Sequence, residues 1–331
     1  MGLIHNQNNQ NNQQSSQSIQ STQNIRNTRH IRAIALDLAL LAGHLLLYPT
    51  GLRQERPPGT APCLPMDGPA HRPVLLLHGF IDNRSVFLPL RRSLGRHGRQ
   101  HIEALNYSPL LCDLRTAAAL LGRHVEEICA RTGHGQVDVI GHSLGGLIAR
   151  YYAQRLGGDA RVHTLVTLGA PHGGTRIAPL LSVHPLVRQM CPDSSVITEL
   201  RQPAPDCRTR FIAFWSDADQ LMIPKETARI DHPDVISQNI RVNGIGHLAL
   251  AVHFSVAARI HGALDVADEA PADASSAVPD GSEASELPNV NRTSGQGSTY
   301  SQPKDGQMPF AEMLKTHGRL SLPRTAGYSR R

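Results

Sequence analysis

The residues best suited to chemistry lie in the segment VDVIGHSLGG, where Gly141, Ser143 and Gly145 have the spacing G-x-S-x-G. A serine held between two such glycines sits on a turn too tight for flanking side chains, and its hydroxyl is lifted above the end of a strand. The motif is weak alone and gains weight from its context. The apolar run Val137–Ile140 leads straight into it, and a helical pattern leads straight out. The Leu144 N–H then stands at a helix N-terminus, aimed at whatever Ser143 attacks. A serine hydroxyl is a poor nucleophile until a base takes its proton, so the motif demands partners elsewhere in the chain. The expected order is serine, then an acid just beyond a later strand, then a histidine in the loop after the last strand.

The chain has 18 histidines, so position must choose among them. His247 follows the last strand-like run, NIRV, and lies between a Gly-rich turn and a helical pattern. His163 begins a strand, His232 lies in a linker, and His253 and His261 fall in the final helix, so all four fit worse. Past the run FIAFW, the segment SDADQLMIP offers Asp217 and Asp219. Asp219 is favoured, because the first acidic residue past a strand tends to cap the turn; Asp217 stays as the alternative. A developing oxyanion needs a second N–H donor, and the loop HGFIDN after the run VLLL can supply it from Phe80. Gly79 lets that backbone bend close to the nucleophile. Ile81, Leu180, Leu221 and Met222 are the candidate substrate-pocket residues, although the same apolar types would suit the edge of any core.

The elements that must hold these groups alternate along 73–264. Strand-like runs are Val74–Leu77, Ile102–Asn106, Gln136–Ile140, His163–Leu168, Thr209–Trp215 and Gln238–Val242. Helical patterns fall near Ser85–Gly98, Asp113–Gly133, Leu144–Arg155 and His247–Gly262. Asp113 is a plausible N-cap and Gly133 a good stop. Runs such as VDVI and LVTL are apolar on both faces, which suits a mostly parallel sheet with helices on both sides. The predicted fold class is therefore α/β, with six strands.

Outside this domain the composition changes. Residues 1–30 are rich in Asn and Gln and predict a disordered polar tract. Residues 31–72 predict an apolar helix followed by a Pro/Gly/Arg-rich linker. Its uncharged run, Leu38–Leu52, is shorter than the roughly 18–20 residues that span a bilayer. Two readings stand for 31–48: a helix packed on the domain or lying at a membrane surface, and a cleaved signal or anchor. On that basis a secreted or membrane-associated setting is weakly favoured over the cytoplasm, with the location itself unassigned. Residues 265–331 turn acidic and then Gly/Ser-rich, which predicts a disordered tail. The net charge is +6 over 331 residues, but the arginines are scattered and aromatics make up only 4 %, which argues against nucleic-acid binding. No spacing suggests a metal site, and no cofactor is expected. Five cysteines are too few for a disulfide scaffold, but Cys191 and Cys207 could close one loop.

In PVLLLHGF, VDVIGHSLGG, LVTLGAPHGGT, FWSDADQLMIP and GIGHLAL, in that order, the chain resembles the α/β-hydrolase superfamily, and within it bacterial triacylglycerol lipases and related esterases. The resemblance covers about 73–262. It implies Ser143 as nucleophile, Asp219 as acid, His247 as base, and Phe80 and Leu144 as oxyanion donors. It implies hydrolysis of a fatty-acyl ester or lipid through an acyl-enzyme. A transacylase using the same triad and a non-catalytic ligand-binding module are the alternatives. The chain departs from the family in lacking room for two antiparallel strands before the HGF strand. It also lacks a long amphipathic lid, because Arg176–Arg208 offers only a small cap.

Overall fold

The computed structural model describes residues 27–28, 30–43, 46, 71–80, 82–107, 113–178 and 184–269. The expectations of disorder for most of 1–30 and for 270–331, and most of the linker expected over 53–72, lie outside these residues. Six strands form one sheet: β1 (Val74–Leu77), β2 (Ile102–Leu105), β3 (Val137–His142), β4 (Val162–Leu168), β5 (Arg210–Ser216) and β6 (Ser237–Val242). Their order is β2-β1-β3-β4-β5-β6, and every neighbouring pair is parallel.

Alternation along the strands separates two cores. Leu75 and Leu77 of β1 join Val137 and Val139 on one face, under α3 (Leu114–Thr132) and α4 (Leu144–Arg155). Val74 and Leu76 point the other way, with Ile140, against α2 (Leu88–Arg96) and α7 (Phe254–Glu269). A strand with helices on both sides must be apolar on both sides, which is why β1 and β3 are buried at every position. The α3 signals act as expected. The Asp113 side chain accepts from the Thr116 N–H at 2.7 Å, and Gly133 ends the helix at φ 73°.

Three boundaries differ from the sequence reading. The pattern near Ser85–Gly98 is a 3-10 turn (Arg84–Phe87) followed by α2, because Pro89 suits only a helix's first turn. The pattern from His247 is a 3-10 turn (Leu248–Ala251) followed by α7. Helix α7 runs past the expected tail boundary at 264/265, because its last turn is tied down: Asp268 pairs with Arg72 (2.7 Å) and Arg99 (2.9 Å), and Ala267 is buried. The loop bridge is also corrected. The Cys191 and Cys207 thiols are both free, and Cys207 turns into the core with its Sγ 3.9 Å from the Ala153 carbonyl.

At the N-terminal end, residues 30–43 form a helix, α1. Ala33 is buried, while Ile31, Ile34, Leu36 and Leu38 are exposed, with Ile31 and Leu38 furthest round the helix from Ala33. Among the described residues, no helix is long and apolar enough to cross a membrane. Two short helices, α5 (Pro185–Arg188) and α6 (Ser195–Leu200), lie between β4 and β5. Glu199 of α6 is bound by Arg115 of α3 and by the Tyr151 hydroxyl of α4, and Arg150 of α4 donates to the Leu200 carbonyl.

Candidate active site

In an open parallel sheet, ligands bind beyond the carboxyl ends of the strands, where the strand order reverses. Here the reversal falls between β1 and β3, and both strands end on the predicted residues. Strand β3 stops at His142, and α4 begins at Leu144. Ser143 between them sits at φ 51°, ψ −120° and is the only described non-glycine residue with positive φ. An L-residue rarely adopts this backbone, so the surrounding packing must hold it there.

The glycines show how. A Cβ on Gly145 would lie 2.4 Å from the Leu77 carbonyl oxygen, and one on Gly141 would lie 2.5 Å from the Gly146 Cα. Gly146, which the motif does not include, is equally confined: its Cβ would lie 2.7 Å from Ala170. Helix α4 therefore presses directly on β1 and β3, and the turn at Ser143 cannot relax. Leu144 is fully buried as the first helical residue, and Gly79 beyond β1 packs against the Ser143 Cβ.

His247 follows β6 and is buried. Its Nδ1 lies 2.8 Å from Asp219 Oδ2. The other Asp219 oxygen, Oδ1, accepts from the Leu221 N–H (2.9 Å) and the Met222 N–H (3.1 Å). Burial works against the imidazolium, but the Asp219 carboxylate outweighs it, with Asp82 and Asp37 adding to the effect, so the His247 pKa lies above the ordinary value. Burial likewise works against the Asp219 carboxylate, and His247 with the two amides holds its pKa below the ordinary value. Asp217 is differently engaged: it accepts from the Gly244 N–H (2.7 Å) and pairs with exposed Arg241 (3.2 Å). The acid beside His247 is thus Asp219.

Ser143 and His247 open into one cavity of about 430 Å³, which Phe80, Leu221 and Met222 also line. Asp219 stands behind His247, outside the lining. Ile81 and Leu180 lie outside the described residues. The far wall comes from Ile177 and Ala178 and from Val187 and Met190 around α5, so the short insertion does form one side of the cavity.

The sequence reading missed four contributors. Gly169, after β4, has φ 57°, and a Cβ there would lie 2.9 Å from Asp219 Oδ2 and 3.2 Å from His247 Nδ1. The Asp–His pair occupies the space a side chain would need. His142 reaches the Asp82 carboxylate with Nδ1 (3.2 Å) and the His247 carbonyl with Nε2 (3.0 Å). A carbonyl only accepts, so Nε2 donates in this contact. Thr175 donates to the Leu221 carbonyl (2.7 Å) and accepts from the Ile223 N–H (3.1 Å), which ties the loop after Asp219 to the segment after β4. Gly169 and Thr175 lie in the LGAPHGGT segment, so that motif was the available signal. Nothing in the sequence marked Asp82 or His142.

Comparison with known proteins agrees with the fold. A family model for the α/β hydrolase fold matches residues 72–190. A triacylglycerol lipase of Pseudarthrobacter phenanthrenivorans is 31 % identical over 114 residues, which is 32 % of this chain and 35 % of that lipase. A triacylglycerol lipase of Burkholderia plantarii is also 31 % identical over 114 residues, 32 % of this chain and 31 % of that lipase. The chain thus matches about a third of the length of these curated relatives. Among solved structures, the mature form of the Bacillus licheniformis lipase BlEst2 is similar at a TM-score of 0.51 and 15 % identity, over 65 % of this chain and 96 % of that one. Aspergillus fumigatus lipase B is similar at a TM-score of 0.50 and 16 % identity, over 66 % and 67 % of the two chains. Sequence and topology therefore lead to one assignment: the chain has the α/β-hydrolase fold, and over about a third of its length it is similar to two bacterial triacylglycerol lipases.

Proposed function

We propose that this chain hydrolyses carboxylic esters with a fatty-acyl part, through an acyl-enzyme on Ser143. The observation that carries the reading is the serine forced to positive φ at the mouth of an apolar cavity it shares with His247, itself backed by Asp219 at 2.8 Å. In this mechanism Ser143 Oγ attacks the ester carbonyl while His247 Nε2 takes its proton. Asp219 holds the imidazole through Nδ1 and stabilises its cation. The N–H groups of Phe80 and Leu144 stabilise the oxyanion, each donor lowering the barrier by about 3 kcal/mol. His247 then protonates the leaving alcohol, and a water deprotonated by His247 releases the acid. The length of the acyl chain is read from the cavity, whose far wall is Val187, Met190 and Ile177.

The test is Ser143→Ala together with a fluorophosphonate label. Chromogenic ester hydrolysis should fall by at least about 10³-fold in the variant, with the melting curve unchanged, and the label should map to Ser143 in the native chain. Hydrolysis persisting in the variant would overturn the assignment. A native chain that neither hydrolyses esters nor takes the label would point to a ligand-binding module instead.

A second proposal concerns α1. Its outward stripe, Ile31, Ile34 and Leu38, is aliphatic and 41–65 % exposed, with Arg32 beside it. A helix with one face docked and an aliphatic face outward beside a cation suits the surface of an anionic lipid layer.

A further inference from the structure

Asp37 is the one acidic residue of α1, and it faces the domain rather than solvent. Its Oδ1 accepts from the Ala249 N–H at 3.1 Å. The neighbouring backbone amides of His247 and Leu248 also favour its charged form. These are the first N–H groups of the Leu248–Ala251 turn, which lack partners inside it. The fit is close: a Cβ on Gly246 would lie 2.3–2.5 Å from the Asp37 carboxylate atoms. Residue 246 must be glycine for Asp37 to reach the turn. Leu40, one helical turn further along α1, lines a second cavity with Leu248 and Val252, so the helix packs on this same loop.

We propose that Asp37 is a positioning residue for His247, clamping the backbone that carries the imidazole from outside the sheet. His247 is then held from three sides. Asp219 binds the ring, His142 binds its carbonyl, and Asp37 binds the Ala249 amide two residues on. The proposal rests on His247 acting as the base. It makes α1, which lies outside the stretch matched by the family model, part of the active site. Asp37 does not touch the reacting atoms. It fixes where the imidazole points, and its negative charge favours the imidazolium. The charged and titratable groups facing His247 are Asp219, Asp82, His142 and Asp37. Burial pushes the Asp37 carboxyl up from its ordinary range, and the Ala249 amide and His247 pull against this.

The full chain is compared with Asp37→Ala, Asp37→Asn and Gly246→Ala by steady-state kinetics on a p-nitrophenyl ester and by NMR titration of the His247 ring. Asp37→Ala should lower kcat about ten-fold with KM changed less than about two-fold. Asp37→Asn keeps an oxygen for the Ala249 N–H and should recover most of that loss. Both variants lose the charge, so the His247 titration should move to lower pH in both. Gly246→Ala pushes the carboxylate off the turn and should reproduce the Asp37→Ala kinetics. Its effect should vanish in the double variant, where the crowded group is gone. If Asp37→Ala does not fold, Gly246→Ala and Asp37→Asn carry the same readouts. An Asp37→Asn chain whose His247 titrates as in the native protein overturns the proposal, and so does an active Asp37→Ala with native kcat. A native chain with no ester hydrolysis and no label at Ser143 overturns the hydrolase reading instead, and the NMR shift still decides the clamp.

Discussion

At the residue scale, the central fact is an imidazole placed among carboxylates. His247 is almost wholly buried, a condition that by itself would keep it neutral, yet Asp219 raises its pKa above the ordinary value. The sign of the pH effect follows. A general base works only when unprotonated, so kcat/KM should fall on the acid side as pH drops through the His247 pKa. The midpoint of that limb should lie above the ordinary histidine value rather than below it. Asp219→Asn should move the limb to lower pH and cost about 10³–10⁴-fold in kcat. A pH profile of kcat/KM for the two proteins checks both, and an acid limb that does not move in the variant would contradict the assignment. Ser143, Asp219 and His247 were candidates from sequence because each lies in the segment after a strand-like run, although of those strands only β3 and β5 are largely buried. Asp82 and His142 were not, because their roles come from contacts across 60 and 105 residues of chain that no local pattern encodes.

At the element scale, α4 is the tightest part of the fold. It is buried along nearly its whole length, and Gly145 and Gly146 let it press against β1 and the end of β4. Helix α1 is its opposite, with one thin buried side and an aliphatic outer side. If that outer side meets lipid, the full chain should co-sediment with vesicles containing anionic lipid. Replacing Ile31 and Leu38 with Ser should weaken vesicle binding at least about 30-fold, at about 1–2 kcal/mol per side chain removed from the interface. Ester hydrolysis of a soluble substrate should be unchanged. Equal sedimentation of the two proteins would rule the lipid-facing role out. The apolar character of 31–43 was plain from sequence. Its docking on the His247 loop was not, because helical periodicity places Asp37 on one face without saying what that face meets.

At the scale of the whole molecule, a charge cluster closes the end of the sheet opposite the site. Asp138, fully buried at the start of β3, lies 3.4 Å from Arg72 and 3.5 Å from Arg99, and both arginines continue to Asp268 at the end of α7. Burial pushes the Asp138 carboxyl up to about 6, against the pull of Arg72 and Arg99. The native state therefore holds this proton more tightly than the unfolded chain does. The stability linked to the proton is present at low pH and lost as pH rises through about 6. Arg99→Met takes away one of the two cations. At pH above 7 it should cost about 3–5 kcal/mol, because the buried carboxylate is left with one partner. Near pH 5 the loss should shrink, because Asp138 takes up a proton instead. Urea unfolding at the two pH values checks this, and an equal loss at both would contradict it. The cluster also explains why α7 outruns the tail boundary expected from composition. The acidic residues that resemble the start of a tail are Asp265 and Asp268, which here pair with arginines from two loops at the far end of the sheet.

The sequence by itself determined the order of strands and helices, the two-sided burial of the inner strands, and the segments after β3, β5 and β6 in which Ser143, the two aspartates and His247 lie. These follow from periodicity and from turn chemistry, which act over a few neighbouring residues. Only the tertiary structure decided that Asp219 rather than Asp217 meets His247. It alone turned Gly169 and Gly246 into contact points, left Cys191 and Cys207 apart, and brought Asp37 of the first helix onto the turn after His247. Each of these outcomes is set by which surfaces pack together once the chain has closed, and distance along the sequence carries no record of that.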